Sequence, residues 1–358
     1  MTTRSSDARR SDLERVKEGT LAVRDVTEQR LRSRVASIAF LAFFVTRLAG
    51  ADEGWTIRLD LLNLSVFGDD LRIAVLSEER TGDFGTVRDS RDLGLNLDSD
   101  QAFRVEVGRF GERWGWSLGA MWFDGPDGRL MLGPLTSDPA TGTVTIFQAE
   151  ALGRTVVAPD VGSGELYLHA QSHFYHGVLD ATVSRELQEG EGSELLLLGG
   201  LKLAKYLDRV NQNLFVLGPE GWGLKQDGEA ESDLMAGPMV GLRGRARVRR
   251  HSFVGSFSQG YLVGNVDFRS RVNETGPGGV EDRYLYTLRD NVAFPVSDMR
   301  LEWALDLGKG FSLGVGVVGE VWWDVPVAPI RTYTEQPETG RENTVIVGGV
   351  LLAAVWQP

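Results

Sequence analysis

Hydrophobic and polar residues alternate along most of this chain. Leu301-Glu-Trp-Ala-Leu-Asp-Leu307 sends Leu301, Trp303, Leu305 and Leu307 to one side and Glu302, Ala304 and Asp306 to the other. Trp55-Thr-Ile-Arg-Leu-Asp-Leu61 repeats the pattern with Arg58 and Asp60 on the polar side, and Phe103-Arg-Val-Glu-Val107 does so with Arg104 and Glu106. A helix would scatter these apolar positions around its circumference, whereas a strand turns successive side chains to opposite faces. The spacing therefore predicts strands.

Turn signals join several of them. Phe103 to Phe110 runs through Gly111-Glu-Arg into Trp114 to Trp122, which closes at Asp124-Gly-Pro-Asp-Gly128; Leu301 to Leu307 passes Gly308-Lys-Gly310 into Phe311 to Val317. Such short connections join antiparallel neighbours. Further strands are expected near 71–77, 143–149, 164–185, 193–207, 232–249, 251–268, 281–292 and 343–356, about twelve in all. Forty-four glycines without a collagen period suit a β protein with many tight turns.

Two environments accept a large all-β chain with alternating faces. In a soluble sandwich the apolar side chains point inward; in a membrane barrel they point to lipid and the polar ones line the interior. Aromatics at the strand ends (Trp55, Trp114, Trp122, Tyr284, Tyr286, Trp322, Trp323 and Trp356) match interfacial girdles. Charges deep within strands (Arg58, Asp60, Arg104, Glu106, Glu302 and Asp306) match a wet interior, and also the outside of a sandwich. The expectation is a single antiparallel transmembrane β-barrel of about twelve strands over residues 52–358, with Trp55, Leu301, Trp303, Leu305, Trp323 and Trp356 toward lipid or its interface. No cysteine is present, so a closed hydrogen-bonded sheet would have to supply what disulfides give small secreted domains.

The first 34 residues are polar and basic, and an eleven-residue apolar run, Val35 to Val45, leads to Ala49-Gly-Ala51. This order reads as a secretory signal peptide over residues 1–51 with a polar extension, or as a leader whose translation starts downstream near Val26. A buried N-terminal helix or a single-pass anchor is the alternative, although the run is short of the ~20 residues that span a bilayer. Without residues 1–51 the body holds 28 basic and 44 acidic side chains, which argues against nucleic acid as a partner. Against that acidic background, Val240-Gly-Leu-Arg-Gly-Arg-Ala-Arg-Val-Arg249 stacks Arg243, Arg245, Arg247 and Arg249 on one strand face. The ladder reads as pore-lining and anion-attracting, or else as a charged strand end with internal ion pairs.

The order of segments resembles a family at this point. Trp55-Thr-Ile-Arg-Leu-Asp-Leu-Leu62, the hairpin Phe103 to Met121, Gly199-Gly-Leu-Lys-Leu-Ala204, Gly237-Pro-Met-Val-Gly-Leu-Arg243 with Gly264-Asn265 after it, Phe311 to Trp323, and Val347-Gly-Gly-Val-Leu-Leu352 are together similar to the Legionella-type major outer membrane protein and its planctomycete relatives. The resemblance covers most of residues 55–356. It implies an outer-membrane barrel of a Gram-negative-type bacterium, exported by the general secretory route and inserted by the barrel-assembly machinery. Members are porin-like or functionally unassigned. Barrels of this kind usually end on an aromatic, and this chain runs two residues past Trp356.

In His169-Ala-Gln-Ser-His173-Phe-Tyr-His176, a helix would pair His169 with His173 over a metal, but on a strand they stand about 13 Å apart and His176 takes the opposite face. Ser172 points away from His173, so the two make no nucleophile and base; a hydrolase would need His173 or His251 beside a serine of an adjacent strand. Asp124-Gly-Pro-Asp-Gly128 lacks a full calcium spacing, and Gly314-Val-Gly316 has no phosphate-loop lysine. The expectation is no enzyme, no metal and no cofactor. Three functions stay open: a porin-like barrel passing small polar solutes through a lumen lined by Arg58, Asp60, Arg104, Glu106, Arg243, Arg245, Arg247, Glu302 and Asp306; a structural or surface-interaction barrel without a conducting pore; and a soluble secreted β-sandwich. For the second, polar segments near 80–101, 124–142, 186–194, 218–233, 269–283 and 331–343 would be external loops.

Overall fold

The computed structural model describes residues 54–68, 72–82, 85–94, 99–110, 113–125, 128–138, 140–149, 154–218, 221–276, 279–326, 328 and 342–357. The expected signal peptide over residues 1–51 and segment 331–341 lie outside the described residues. Sixteen strands are described: β1 (Trp55–Gly68), β2 (Arg72–Gly82), β3 (Gly85–Gly94), β4 (Asp100–Phe110), β5 (Trp114–Asp124), β6 (Gly128–Leu135), β7 (Thr143–Ala149) and β8 (Arg154–Val157) in the first half. Then come β9 (Glu165–Gly190), β10 (Ser193–Leu217), β11 (Trp222–Ser232), β12 (Met235–Val248), β13 (His251–Gly276), β14 (Gly279–Gly308), β15 (Phe311–Pro326) and β16 (Glu342–Trp356).

Twelve strands form one antiparallel sheet, and it closes on itself. Following the pairs from β9 through β10, β12, β13, β14, β15, β16, β1, β4 and β5 returns to β9, so the ring itself has ten strands. The other two lie beyond the ring at one end: β11 fits between the extended halves of β10 and β13, and β6 pairs with the start of β9. β2, β3, β7 and β8 make a separate four-stranded sheet. Expected strands near 281–292 and 301–307 are parts of one strand, β14.

The two ends differ. Where β1 begins and β16 ends, the ring strands are joined by the tight hairpins β4–β5, β9–β10, β12–β13 and β14–β15. At the other end the walls rise: β9, β10, β13 and β14 have 26, 25, 26 and 30 residues, or roughly 80–100 Å at strand rise. A bilayer needs only about 9–11 tilted residues, so each has a long part to spare.

The outer surface shows where that boundary falls. On β10 the outward side chains from Leu195 to Leu203 are Leu, Gly or Leu again, and at Lys205 the face turns charged. On β14, Met299, Leu301, Trp303, Leu305 and Leu307 face out, with Leu301 54% and Trp303 39% exposed. β13 adds Phe253, Phe257, Tyr261 and Val263, and β15 and β16 add Leu313, Val315, Val317, Val350 and Leu352. Apolar exposure on this scale, all round one ring, is far beyond what an aqueous surface carries. Above the belt the same strands show exposed ion pairs instead: Lys205–Glu231 at 2.8 Å, Arg209–Glu229 at 2.7 Å and Arg289 with Asp233. The leucines of β14 therefore do not interlock in a dry core, as a sandwich would require.

Several expected external loops are strands. Segment 218–233 contains β11, 80–101 contains β3, and 124–142 contains β6. Segment 269–283 is the tip of the β13–β14 hairpin, and 186–194 is a tight hairpin at the opposite, terminal end.

Candidate functional site

The interior is layered, and each layer follows from which residues the ring strands turn inward. At the terminal end lies a cup of about 520 Å³. Arg243, Arg245 and Arg247 of β12 point into it at the two-residue spacing, with Arg58, Arg250 and Lys309 and the carboxylates of Glu194, Glu302 and Asp306. The fourth rung departs from expectation. β12 ends at Val248, and Arg249 sits in the hairpin with φ 56°; Arg250 lines the cup instead.

Above the cup is a closed ionic layer. Arg58 Nε donates to Asp60 Oδ1 at 2.9 Å, and Arg58 Nη2 bonds Glu302. Arg300 donates to both Asp60 oxygens, at 2.8 and 3.1 Å, and to Glu302 Oε2 at 3.1 Å. All four side chains are nearly inaccessible. Two guanidiniums and two carboxylates thus balance in one place, the condition on which buried charge is tolerated. Gly314 makes the room: a Cβ there would sit 2.2 Å from Glu302 Oε1.

The third layer reaches across the barrel. Arg243 Nη1 lies 3.6 Å from Glu106 on the facing wall, and Arg104 Nη2 lies 3.7 Å from Asp180. Lys202, buried, stands 3.0 Å from Asp180, 3.2 Å from Asp298 and 3.8 Å from Glu320. His176 Nε2 bonds Glu320 Oε2 at 3.0 Å. His176 is on β9 and Glu320 on β15, five steps apart in a ring of ten. They are diametrically opposite, and their side chains touch. A residual cavity of about 100 Å³ is left among Arg104, Glu106, Asp180, Asp298 and Arg300.

Beyond this layer the inward residues become apolar, contrary to the expectation of a polar lumen throughout. Leu62, Leu64 and Val66 follow Asp60 on the same face of β1 and pack with Phe123, Phe174, Tyr206, Phe294, Trp322 and Val347. Trp322 and Tyr206 are fully buried, their rings edge to face at 5.8 Å, and Trp322 also meets Phe294 at 5.7 Å and His176 at 5.7 Å. The start of the β15–β16 connection is drawn onto this plug: Tyr206 Oη donates to Pro326 O at 2.7 Å and Ala328 N donates to Asp208 Oδ2 at 2.8 Å. Farther out, a second apolar cluster joins Leu76 and Ala158 to Leu166, Leu168, Leu214, Leu224 and Val272.

Asp208 stands above the apolar belt, level with exposed Arg209. Burial raises its carboxyl from the usual 3.8 to about 6, with the Ala328 amide and His173 opposing. A raised folded-state pKa stabilises the fold fully below 3.8, and the contribution is lost as pH rises through about 6. Unfolding free energy should thus gain a component between pH 7 and pH 4 that Asp208→Asn abolishes, read by denaturant titration at both pH values.

Every residue expected on the polar face (Arg58, Asp60, Arg104, Glu106, Arg243, Arg245, Arg247, Glu302 and Asp306) faces the interior. They divide between two regions: Arg58 and Asp60 belong with Glu302 in the ionic layer, with Glu106 and Arg104 paired to them on the neighbouring strand, while Arg245, Arg247 and Asp306 surround the cup and Arg243 reaches from it to Glu106. Of the expected outward residues, Trp55 meets Trp116 edge-on at 5.5 Å, Trp303 stacks on His251 at 5.7 Å, and Trp323 Nε1 donates to Ser297 at 3.0 Å. Leu305 is half-buried on the outer face, as is Trp356, where β16 ends opposite Ile57 and Phe311. His173 faces outward 3.2 Å from Asp124, while Ser172 is buried on the inner face. Among the described residues no group of three or more metal-ligating side chains is assembled. Arg300, Lys202, Asp180, Asp298 and Glu320 were not anticipated, although Asp298-x-Arg300-x-Glu302 carries the same two-residue spacing.

No family model and no curated protein matches the chain. Solved structures similar to it include the outer membrane protease OmpT from Escherichia coli, at 11% identity over 86% of this chain and 98% of that one, TM-score 0.46. The P. putida toluene transporter TodX aligns at 8% identity over 86% and 91%, TM-score 0.24, and the CymD monoaromatic hydrocarbon channel at 8% over 86% and 89%, TM-score 0.25. Identities and scores this low transfer no activity, and protease and channels point different ways.

Proposed function

We propose that this chain is an outer-membrane barrel of a Gram-negative-type bacterium, exported by the general secretory route, that stands closed in the bilayer and works through the β structure raised on its outer side. The apolar belt supports the membrane location, and by the usual rule for such barrels the short hairpins and both strand termini face the periplasm. Kinship with the Legionella-type outer-membrane group belongs to the same proposal.

The observation that carries the closed reading is the His176–Glu320 hydrogen bond across the full diameter, roofed by Trp322, Tyr206, Phe123 and Phe294. A narrow ring filled by side chains offers no aqueous path, so passive diffusion of small polar solutes would require the roof to be displaced. Ion conductance in planar bilayers separates the two. Baseline current is expected from purified, folded protein, and steady open-channel current would return the chain to the diffusion reading. The extended parts of β9, β10, β11, β13 and β14, with polar outer faces, are then the surface available to partners.

A further inference from the structure

We propose that the cup at the terminal end is a binding site for a small soluble anion bearing two or more phosphate or carboxylate groups. The inference stands whether or not the interior above the cup conducts.

The body of the protein is strongly acidic, yet this one concavity is lined by six cations, Arg58, Arg243, Arg245, Arg247, Arg250 and Lys309, against three carboxylates. Most of the acidity there is spent. Glu302 is taken up by Arg58 and Arg300, and Asp306 by Arg247. Of the cations, Arg58 belongs to the ionic floor and Arg243 leans to Glu106. Among the described residues Arg245, Arg250 and Lys309 have no carboxylate within ion-pair distance; Glu194, on the strand beside β12, and more weakly Asp306 are the acids that act on Arg245 from farther off. The cup therefore carries cationic capacity that its own walls leave unmet.

Geometry supports a ligand over bulk counter-ions. The three donors come from separate places, the last residues of β12, the β12–β13 hairpin and the β14–β15 hairpin, and converge on one space. Arginine forks bind phosphate and carboxylate oxygens two at a time, so a ligand with several anionic groups would engage more than one fork. The volume of about 520 Å³ falls within the ~300–1,000 Å³ typical of small-molecule sites. The floor is the Arg58–Asp60–Arg300–Glu302 layer, and Gly308, Lys309, Gly310 and Gln357 line the rim, so a ligand would enter and leave on the side of the strand termini. The site is built to hold.

The test uses full-length folded protein in detergent at low salt, titrated calorimetrically with pyrophosphate and with citrate, acetate serving as the single-charge control. Saturable binding of pyrophosphate or citrate well above acetate is expected. The triple variant Arg245→Gln/Arg250→Gln/Lys309→Gln should weaken it by roughly tenfold or more while its thermal melt stays unchanged, and Lys205→Gln/Arg209→Gln on the outer face should leave binding intact. Equal binding by wild type and triple variant, or equal loss in the outer-face variant, would overturn the site as nonspecific attraction. A nanodisc arm addresses the source of the anion. If binding persists in both zwitterionic and phosphatidylglycerol discs the soluble ligand stands, whereas its loss only in phosphatidylglycerol assigns the cup to lipid headgroups and overturns the soluble-anion assignment.

Discussion

Trp322→Ala should lower the unfolding free energy of the folded barrel by about 3–5 kcal/mol, the cost of removing a fully buried aromatic whose surroundings cannot collapse. The indole lies at the centre of the plug, in ring contact with Tyr206, Phe294 and His176. Those neighbours are fixed to strands whose spacing is set by the closed ring, so little relaxation can fill the space. Trp323, the next residue along, faces outward and is 43% exposed. Trp323→Ala should cost much less, and denaturant titrations of the pair in the same micelle would compare them. Near-equal losses would mean that Trp322 is not packed as described.

The second large effect is electrostatic. Glu302→Gln conserves shape and leaves Arg58 and Arg300 with Asp60 as their one carboxylate within the layer. An uncompensated charge in a dry layer costs about 3–5 kcal/mol. Removing both members of one pair, as in Arg58→Met/Glu302→Met, restores neutrality and should cost less than the single substitution. That inversion, a double change milder than a single one, is hard to obtain from loss of packing. A double variant that falls by the sum of the singles would show that the four groups are solvated and act independently.

Much of this arrangement is legible in the sequence, and the parts that are not share a cause. A two-residue period reports which face a side chain takes, so Arg58, Asp60, Arg104, Glu106 and the β12 arginines could be assigned to one side and Leu301 and Trp303 to the other. The period says nothing about what stands opposite. Whether a lumen is open depends on how many strands close the ring, and that is fixed by pairings such as β9 with both β5 and β10, far apart along the chain. A twelve-strand sheet and a ten-strand ring look alike to local pattern. The plug left one trace, at Leu61-Leu62-Asn63-Leu64, where β1 turns Leu62 and Leu64 inward after two inward charges.

Missed strands have a similar explanation. Trp222-Gly-Leu-Lys-Gln-Asp-Gly-Glu-Ala-Glu-Ser232 alternates Lys, Asp and Glu with Leu, Gln, Gly and Ala. Outside the bilayer its outer face meets water, so the run lacks the apolar weight that marks a lipid-facing strand and reads as a loop. Arg300 lies one residue before the alternating run that begins at Leu301, outside the span that the pattern marks. Arg249 continues the alternation of the ladder, and alternation alone cannot show where a hairpin takes over.

In the proposed closed barrel the interior is shut by contact between opposite walls, and electrical conductance tests that closure most directly. Purified, folded wild-type protein inserted in planar bilayers, with insertion verified independently, should add no current above baseline across a range of voltages. Discrete, reproducible current steps from the same preparation would contradict the account, since they require ions to pass the level at which His176 meets Glu320.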